Sequence, residues 1–395
     1  MLRTALILGL LSIVGPFAID MYLPAMPAIG KSLGASDTAV QTTITGYFVA
    51  FGIAQLIYGP WADQAGRKVP IITGLVIFTI GSLGAATAGS VGFLVAWRVL
   101  QGLGGAVLMV VPRAIIRDMY TGADGTRLMS MLMLVISISP MLAPLAGSGV
   151  LAVSGWRAIF FVMAIFAGAG LAITLFLQPE TLPKDQRVKV NLRSLARGAK
   201  TLLTDPIFMA LTFIGGFGMA SFFIFLSFAP FVYTGQYGLG PTEFSIAFAV
   251  NAIGFFTASQ FAGHLGARWG MQRLVRRGVG GFVAMTLALM LVVMLGDPGL
   301  YVIIAGLLLA NACLGVVIPT VMVVALDEHG DIAGLASSLG GTLQMLTGGA
   351  AVALAGPFFN GTAAPMVVAI ALSALAAGLL TVAVLRQGVE PEATV

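Results

Sequence analysis

Charged side chains are scarce in this chain of 395 residues. Lys, Arg, Asp and Glu make up 9% of it, where a soluble domain usually carries about 25%. Hydrophobic residues make up 58%. This balance excludes a water-soluble enzyme and a disordered chain, and it excludes a nucleic-acid-binding protein in spite of the net charge of +5.

Thiols and metal ligands are scarce too. Cys313 is the single cysteine, so no intrachain disulfide can form, and His264 and His329 are the only histidines. We therefore expect no metal site and no cofactor. A cleaved signal peptide is not expected either, because only Arg3 precedes the first apolar run, which continues into Asp20 without a cleavage pattern.

Long apolar runs, in contrast, are abundant. About 20 apolar residues cross the hydrocarbon core of a membrane as a helix, and the absence of dyad alternation excludes a β-barrel. The sequence predicts twelve crossings, numbered here span 1 to span 12 in chain order. They lie in the stretches 4–28, 38–62, 69–97, 92–115, 128–156, 158–179, 206–242, 244–267, 278–296, 298–326 and 332–385, the last of which holds two spans around a turn at 356–365.

The basic residues predict the orientation. With the N-terminus inside the cell, 17 of the 20 Lys and Arg residues fall on the cytoplasmic side, as the positive-inside rule requires. We therefore expect a multi-pass protein of a bacterial inner membrane with both termini in the cytoplasm.

The chain divides near its middle. The segment 180–205 holds six basic residues and separates six spans from six. We expect an N-terminal half at 1–180, a cytoplasmic linker at 181–204 and a C-terminal half at 205–395. The basic linker suits a position on anionic lipid headgroups, and a regulatory docking site is the alternative.

Four motifs in order carry a family resemblance: FAIDMYLPAMPAIG (17–30), GPWADQAGRK (59–68), RVLQGLGGA (98–106) and SPMLAPLAG (139–147). With the two six-span halves they resemble the major facilitator superfamily, and the first motif resembles its Bcr/CflA drug exporters, the bicyclomycin- and chloramphenicol-resistance subgroup. The resemblance implies an all-α membrane protein of two pseudo-symmetric halves. It also implies export of drugs in exchange for protons by alternating access.

Asp20 is the most informative residue, because a carboxylate inside a membrane helix costs several kcal/mol on insertion scales (about 2.5–3.5). Helix geometry places Arg98 of span 4 at a similar depth. We expect the two to form an ion pair, directly or through water, and to couple transport to protons. Burial favours the neutral form of a carboxylate and a nearby Arg favours the ionised form, so substrate or water can tip the balance. The alternative is a purely structural ion pair.

Several residues of the predicted inner spans are candidates for the substrate cavity. Gln101 shares a helix face with Arg98, where it either relays a hydrogen bond or contacts substrate. Arg113 either faces the inner mouth of the cavity or extends to the headgroups. Most Met and Phe side chains face lipid or neighbouring helices, but some on the cavity spans suit variable ligands. The full set is Phe17, Met21, Gln101, Met109, Arg113, Phe217, Phe225 and Asn311.

Two further segments are predicted to control conformation. Asp63 ends span 2, where the helix dipole disfavours negative charge, so it needs a partner. The candidate partners are Arg67, Lys68 and the start of span 11. A contact between Asp63 and the start of span 11 would hold the two halves together. The predicted latch is Gly59, Asp63, Gly66, Arg67 and Lys68, and its alternative is a solvated turn. The predicted hinge is Pro140, Pro144 and Gly147, where prolines bend the helix and small residues allow close packing.

These features predict a proton-driven exporter of small neutral or amphipathic antibiotics. The alternative substrate is a native metabolite such as an amino acid or short peptide. No P-loop is present to bind ATP. A membrane enzyme would need clustered catalytic groups, of which the acids at 327–331 beside His329 are the single candidate, and a channel would lack the two-half repeat. The expected partners are drugs, protons and the lipid bilayer, with no nucleic acid, and the expected state is a monomer.

Overall fold

A computed structural model describes residues 2–120, 122–187, 192–327 and 329–385, and all the regular structure within these ranges is helical. The predicted fold class, twelve membrane-spanning helices in two six-helix halves, is confirmed. The observed helices are Leu2–Asp20 and Met26–Leu33 (span 1), Asp37–Ala65 (span 2), Lys68–Ala86 (span 3), Val91–Gly105 and Val107–Met119 (span 4), Gly122–Phe176 (spans 5 and 6), Leu192–Thr204 (the linker helix), Pro206–Phe231 (span 7), Pro241–Trp269 (span 8), Met271–Leu295 (span 9), Leu300–Asp327 (span 10), Ala333–Ala355 (span 11) and Ala363–Leu385 (span 12).

Backbone breaks occur where the local sequence requires them. Span 1 stops at Asp20 and resumes after a 3-10 turn at Leu23–Ala25 that contains Pro24. Spans 5 and 6 meet at Gly155, whose φ of 75° lies in the region that favours glycine. These breaks let a continuous apolar sequence change direction without a charged loop.

Two predicted boundaries are wrong for a physical reason. Span 3 ends at Ala86 and not near 97, because Ser90 caps the next helix by accepting a hydrogen bond from the Phe93 N–H at 3.4 Å. Span 9 begins at Met271 and not at 278, because exposed arginines occupy its first two turns. Absence of charge therefore locates a span less accurately than its caps do.

The turns between spans 2 and 3, 4 and 5, 8 and 9, and 10 and 11 lie at one end of the bundle together with the linker helix, and we call this the basic end. The two halves meet mainly at mid-depth and toward the opposite end. Thr38 donates to the Gly356 carbonyl at 3.2 Å, and Thr342 donates to the Gly52 carbonyl at 2.7 Å. The rings of Phe48 and Phe223 stack between spans 2 and 7, with their centroids 3.6 Å apart.

The linker helix packs against protein on one face. Its Leu202 is fully buried, and its Gly198 lies against Leu335 and Ile332 at the start of span 11. Its basic residues Arg197 and Lys200 are exposed on the other side of the helix, so the predicted position on lipid headgroups stays a prediction for that face.

Glycines allow the spans of the N-terminal half to approach closely, which generates the first prediction. A Cβ atom at Gly102 would lie 2.4 Å from the Tyr47 carbonyl oxygen, whereas one at Gly92 of the same span would meet nothing within 4 Å. Gly102→Ala should therefore lower the free energy of unfolding by about 1–3 kcal/mol through overpacking. Gly92→Ala is the matched control and should not destabilise the protein. Thermal unfolding of the purified protein in detergent measures both, and equal midpoints would contradict the close approach of spans 2 and 4.

Candidate functional site

Asp20 lies at the end of the first helix of span 1, directly before the 3-10 turn. Its side chain is buried, with 4% of the residue exposed. No hydrogen bond or salt bridge involves its carboxylate among the described residues. The chain therefore holds an acid without a partner close to a break in the backbone.

Arg98 is fully buried beside this break. Its Nη1 donates to the Ala18 carbonyl at 3.0 Å and to Gln101 Oε1 at 2.5 Å. The guanidinium carbon lies 4.7 Å from the centroid of the Tyr22 ring and 4.4 Å from that of Tyr47. Ala18 belongs to the last turn of its helix, whose carbonyls lack partners within the helix. Arg98 is thus held by one carbonyl, one amide and two aromatic rings, a set that we call the arginine cage.

The two tyrosines are themselves fixed in place. The hydroxyls of Tyr22 and Thr43 are 2.7 Å apart, and the Tyr47 hydroxyl donates to the Gly15 carbonyl at 3.5 Å. Their rings therefore present fixed faces to the cation, which is the geometry that a cation–π contact needs.

The predicted ion pair between Asp20 and Arg98 is not direct. Arg98 reaches Ala18, two residues before Asp20, so the two groups share a depth as predicted. The described residues nevertheless contain no salt bridge between them. Within the same residues, only Nη1 of the guanidinium is hydrogen bonded, to Ala18 and Gln101.

Gln101 relays hydrogen bonds from Arg98 in this conformation, and its contact with substrate stays a prediction. It is fully buried, and its Nε2 donates to Ser82 Oγ at 2.7 Å and to Met163 Sδ at 3.5 Å. The amide therefore connects the arginine cage to spans 3 and 6 inside the N-terminal half.

The aromatic cavity candidates pack against neighbouring rings. Phe17 packs edge-on against Phe166 of span 6, and Phe225 stacks on Phe248 of span 8 with 5.5 Å between the ring centroids. The ring of Phe217 packs beside that of Phe213, with 6.4 Å between the two centroids. These aromatic side chains serve packing within one half in this conformation.

The remaining candidates differ in accessibility. Met21 is buried, and Asn311 of span 10 is 5% exposed. Met109 is partly buried and accepts a hydrogen bond at its Sδ from Arg113 Nη2 at 3.9 Å. Arg113 is exposed on the surface of the bundle, and its predicted position, at the cavity mouth or at the headgroups, stays open.

The predicted hinge brings span 5 against spans 1 and 8. A Cβ atom at Gly147 would lie 2.1 Å from the Met21 carbonyl oxygen, so glycine is required for this approach next to Asp20. The Pro144 carbonyl accepts a hydrogen bond from Ser245 Oγ at 2.9 Å. Pro140 lies one turn earlier in the same helix. The motif thus joins the two halves at the opposite end.

The predicted latch is a network centred on Arg67. Its Nε and Nη2 donate to the two carboxylate oxygens of Asp118 at 2.7 and 3.0 Å, and its Nη1 donates to Asp63 at 2.6 Å. Glu180, after span 6, accepts from the backbone N–H groups of Arg67 and Lys68 at 2.9 and 3.2 Å.

Glycines shape the same turn. Gly66 has a φ of 92°, and a Cβ atom there would collide with the Glu180 carboxylate. A Cβ atom at Gly59 would meet nothing within 4 Å, so the structure gives no packing reason for glycine at that position.

Charge pairing sets the protonation of this network. Burial lowers the pKa of Arg67, but the hydrogen bonds and charges of Asp118 and Asp63 outweigh that effect, and the net direction is upward. Burial raises the pKa of the Glu180 carboxyl, but hydrogen bonds from backbone N–H groups and the charge of Arg187 outweigh that effect, and the net direction is downward. Arg67 and Glu180 are therefore both ionised at neutral pH.

The latch contacts lie within the N-terminal half. The described residues contain no hydrogen bond or ion pair between Asp63 and span 11, which the sequence offered as a possible latch. In the C-terminal half, Asp205 caps span 7, and its Oδ2 lies 2.8 Å from His329 Nε2. His329, the histidine of the segment 327–331, is therefore bonded to Asp205. Glu328 of the same segment lies outside the described residues.

Sequence reasoning missed four residues of these networks: Tyr22, Tyr47, Asp118 and Glu180. Tyr22 and Asp118 had a visible signal, since Tyr22 lies two residues from Asp20 and Asp118 follows Arg117 at the end of an apolar span. Tyr47 and Glu180 join their networks through contacts distant in sequence, which no local pattern reveals.

Comparisons with known proteins agree with this architecture. The family model described as Major Facilitator Superfamily matches residues 8–352. The chain is 34% identical to an uncharacterized MFS-type transporter of Bacillus subtilis over 92% of this chain and 91% of that protein. It is 30% identical to a bicyclomycin resistance protein homolog of Haemophilus influenzae over 91% of this chain and 90% of that protein. A crystal structure of a D-xylose-proton symporter superposes with a TM-score of 0.77 at 17% identity, covering 100% of this chain and 98% of that one, which shows a common fold.

The Arg67 network generates the second prediction. Asp118 holds Arg67 through two hydrogen bonds and Asp63 through one, and the Asp63 side chain is 50% exposed. Asp118→Asn should therefore destabilise the basic end more than Asp63→Asn, because removing one partner of a buried pair leaves a buried charge uncompensated. The measurement is amide hydrogen exchange of the turn at 64–70. Faster exchange in Asp63→Asn than in Asp118→Asn would contradict the assignment of Asp118 as the main partner.

Proposed function

Because the chain belongs to the major facilitator superfamily, and within it to the bicyclomycin-resistance subgroup that its motifs indicate, we propose that it exports small neutral or amphipathic antibiotics in exchange for protons. The protein is a membrane transporter and not an enzyme. Its proposed driving force is the proton gradient, with no cofactor.

The observation that carries the proposal is the unpaired carboxylate of Asp20 beside the arginine cage. An acid within a membrane span is costly, and such residues mark ion or substrate pathways. A carboxylate without a partner is less costly to bury when it carries a proton. Asp20 is thus the group that takes up a proton when the site closes and releases it when the site hydrates or substrate enters.

Arg98 acts in this scheme as a cation that can change partners. Its Nε and Nη2 atoms are buried without hydrogen-bond partners among the described residues. A small rotation of span 1 at its break therefore lets the guanidinium pair with ionised Asp20, and the tyrosine rings hold it when Asp20 is neutral.

Alternating access is the proposed transport cycle. The contacts at Thr38, Ser245 and Phe48 join the halves at mid-depth and toward the opposite end. The Arg67 network joins elements of a single half at the basic end. Rocking of two internally bonded halves can thus break the first set of contacts without breaking the second.

The basic end of the bundle determines the proposed orientation in the membrane. We place both termini in the cytoplasm and the protein in the bacterial inner membrane as a monomer, since the basic end then faces the cytoplasm as the positive-inside rule requires. A native metabolite, an amino acid or short peptide, is the alternative substrate.

The third prediction tests the proton coupling. Asp20→Asn should abolish substrate-induced proton release from everted membrane vesicles, because the amide cannot exchange a proton. Asp37→Asn is the matched control, since Asp37 is an exposed acid at the start of span 2, and it should retain wild-type coupling. Normal antiport by Asp20→Asn would rule out the proposed role of this residue.

The fourth prediction concerns substrate charge. One deep acid beside a buried arginine gives the site little negative charge, so a desolvated dication would be left with an unpaired charge at high cost. Expression of the transporter should protect cells from neutral antibiotics of the bicyclomycin type and not from dicationic drugs. Growth inhibition by matched neutral, monocationic and dicationic compounds measures this, in a host that lacks its own exporters. Strong Asp20-dependent protection against dications alone would contradict the proposed substrate class.

A further inference from the structure

An apolar groove lies between spans 8, 9 and 10, away from Asp20 and the Arg67 network. It has a volume of about 460 Å³, which is within the range of small-molecule sites. Most of its lining is aliphatic or aromatic, and Arg277 is its one charged member. The lining residues are Ala258, Leu265, Trp269, Leu274, Arg277, Gly278, Gly281, Met285, Leu309, Ala312, Cys313 and Val316.

Glycines form the floor of the groove. Gly278 and Gly281 lie one turn apart on span 9, and a Cβ atom at these positions would lie 2.6 Å from Val317 Cγ2 and 3.0 Å from Cys313 Sγ, respectively. Span 9 thus meets span 10 with almost no side-chain volume between them. Along span 9 the groove extends from Leu274 to Met285, eleven residues or about 16 Å of helix. An elongated apolar chain fits this shape better than a compact drug does.

The groove opens toward the membrane. Span 9 packs against spans 10 and 12 and, at the basic end, against span 8, so it lies at the periphery of the C-terminal half. Leu309 on the rim and Leu291 further along span 9 are exposed apolar side chains. The space is therefore accessible to lipid.

Positive charge is concentrated at the mouth of the groove. The guanidinium carbon of Arg277 lies 4.7 Å from the centroid of the Trp269 ring, and tryptophan is enriched at the membrane interface. Arg268, Arg273 and Arg276 are exposed nearby. Within the described residues, none of these four arginines forms a salt bridge, so this positive charge has no internal counterion.

We propose that this groove binds one acyl chain of an anionic phospholipid whose phosphate is held by Arg277. The apolar walls replace the lipid environment of the chain, and the exposed arginines provide the attraction for a negative headgroup. Trp269 positions the guanidinium at the headgroup level. The site is independent of the proton-coupled export proposed above, since it shares no residue with the arginine cage or with Asp20.

Lipid selectivity of the purified full-length protein tests the proposal. Native mass spectrometry in detergent, with equal concentrations of phosphatidylglycerol and phosphatidylcholine, should show preferential retention of phosphatidylglycerol. Arg277→Gln should weaken that retention about fivefold, the effect of removing one basic residue near an anionic lipid surface. Arg273→Gln is the matched control, because Arg273 belongs to the same patch but does not line the groove, and it should weaken retention less.

Cys313 locates the bound lipid, because it is the single cysteine of the chain and lines the groove. Phosphatidylglycerol should slow alkylation of Cys313 by N-ethylmaleimide, and phosphatidylcholine at the same concentration should not. This measurement uses the wild-type protein, so it remains valid even if a variant that fills the groove, such as Ala312→Phe, fails to fold.

Equal retention of the two lipids would overturn the proposal. Retention of phosphatidylglycerol with unchanged alkylation would also overturn it, since the lipid would then bind the arginine patch outside the groove. A dimer that forms through this face would show that a second copy of the chain is its occupant.

Discussion

The buried guanidinium of Arg98 is the constraint on which the N-terminal half depends. Moving a full charge out of water costs several kcal/mol even after the protein relaxes, and here no carboxylate pairs with it directly. The Ala18 carbonyl, the Gln101 amide and the faces of Tyr22 and Tyr47 offset that cost. These groups come from spans 1, 2 and 4, and Gln101 extends the network to spans 3 and 6. One cation therefore fixes five of the six spans relative to one another.

In the proposed transport cycle, that arrangement leaves Asp20 free to change its protonation. A permanent ion pair with Arg98 would keep the carboxylate ionised, whereas in this conformation the guanidinium donates from Nη1 to Ala18 and Gln101 and the acid has no partner among the described residues. The backbone break after Asp20 and the close approach of Gly147 to Met21 lie at the same place. The proposed change of charge on Asp20 would therefore reach span 5 by contact, and through Ser245 the C-terminal half.

Much of the fold was predictable because hydrophobic length is a strong signal, and twelve spans and their order follow from it. Boundaries were less predictable, since Arg273, Arg276 and Arg277 sit within the first turns of span 9 with their charges at the surface. The depth of Asp20 and Arg98 was predictable from helix rise, but their missing direct contact was not. Arg98 instead lies over the ring of Tyr47, 51 residues earlier in the sequence, and no periodicity encodes the orientation of that ring. The same holds for the cavity candidates, since Phe17, Gln101 and Phe225 lie on the expected spans but turn toward neighbouring helices.

The central claim is that substrate binding and protonation of Asp20 exclude each other. Infrared difference spectroscopy of the purified protein, recorded on addition of a neutral substrate such as bicyclomycin, tests it most directly. The account predicts the loss of one protonated carboxyl band when substrate binds, and the absence of that band in Asp20→Asn. Substrate binding without any change in a carboxyl band of the wild-type protein would contradict it.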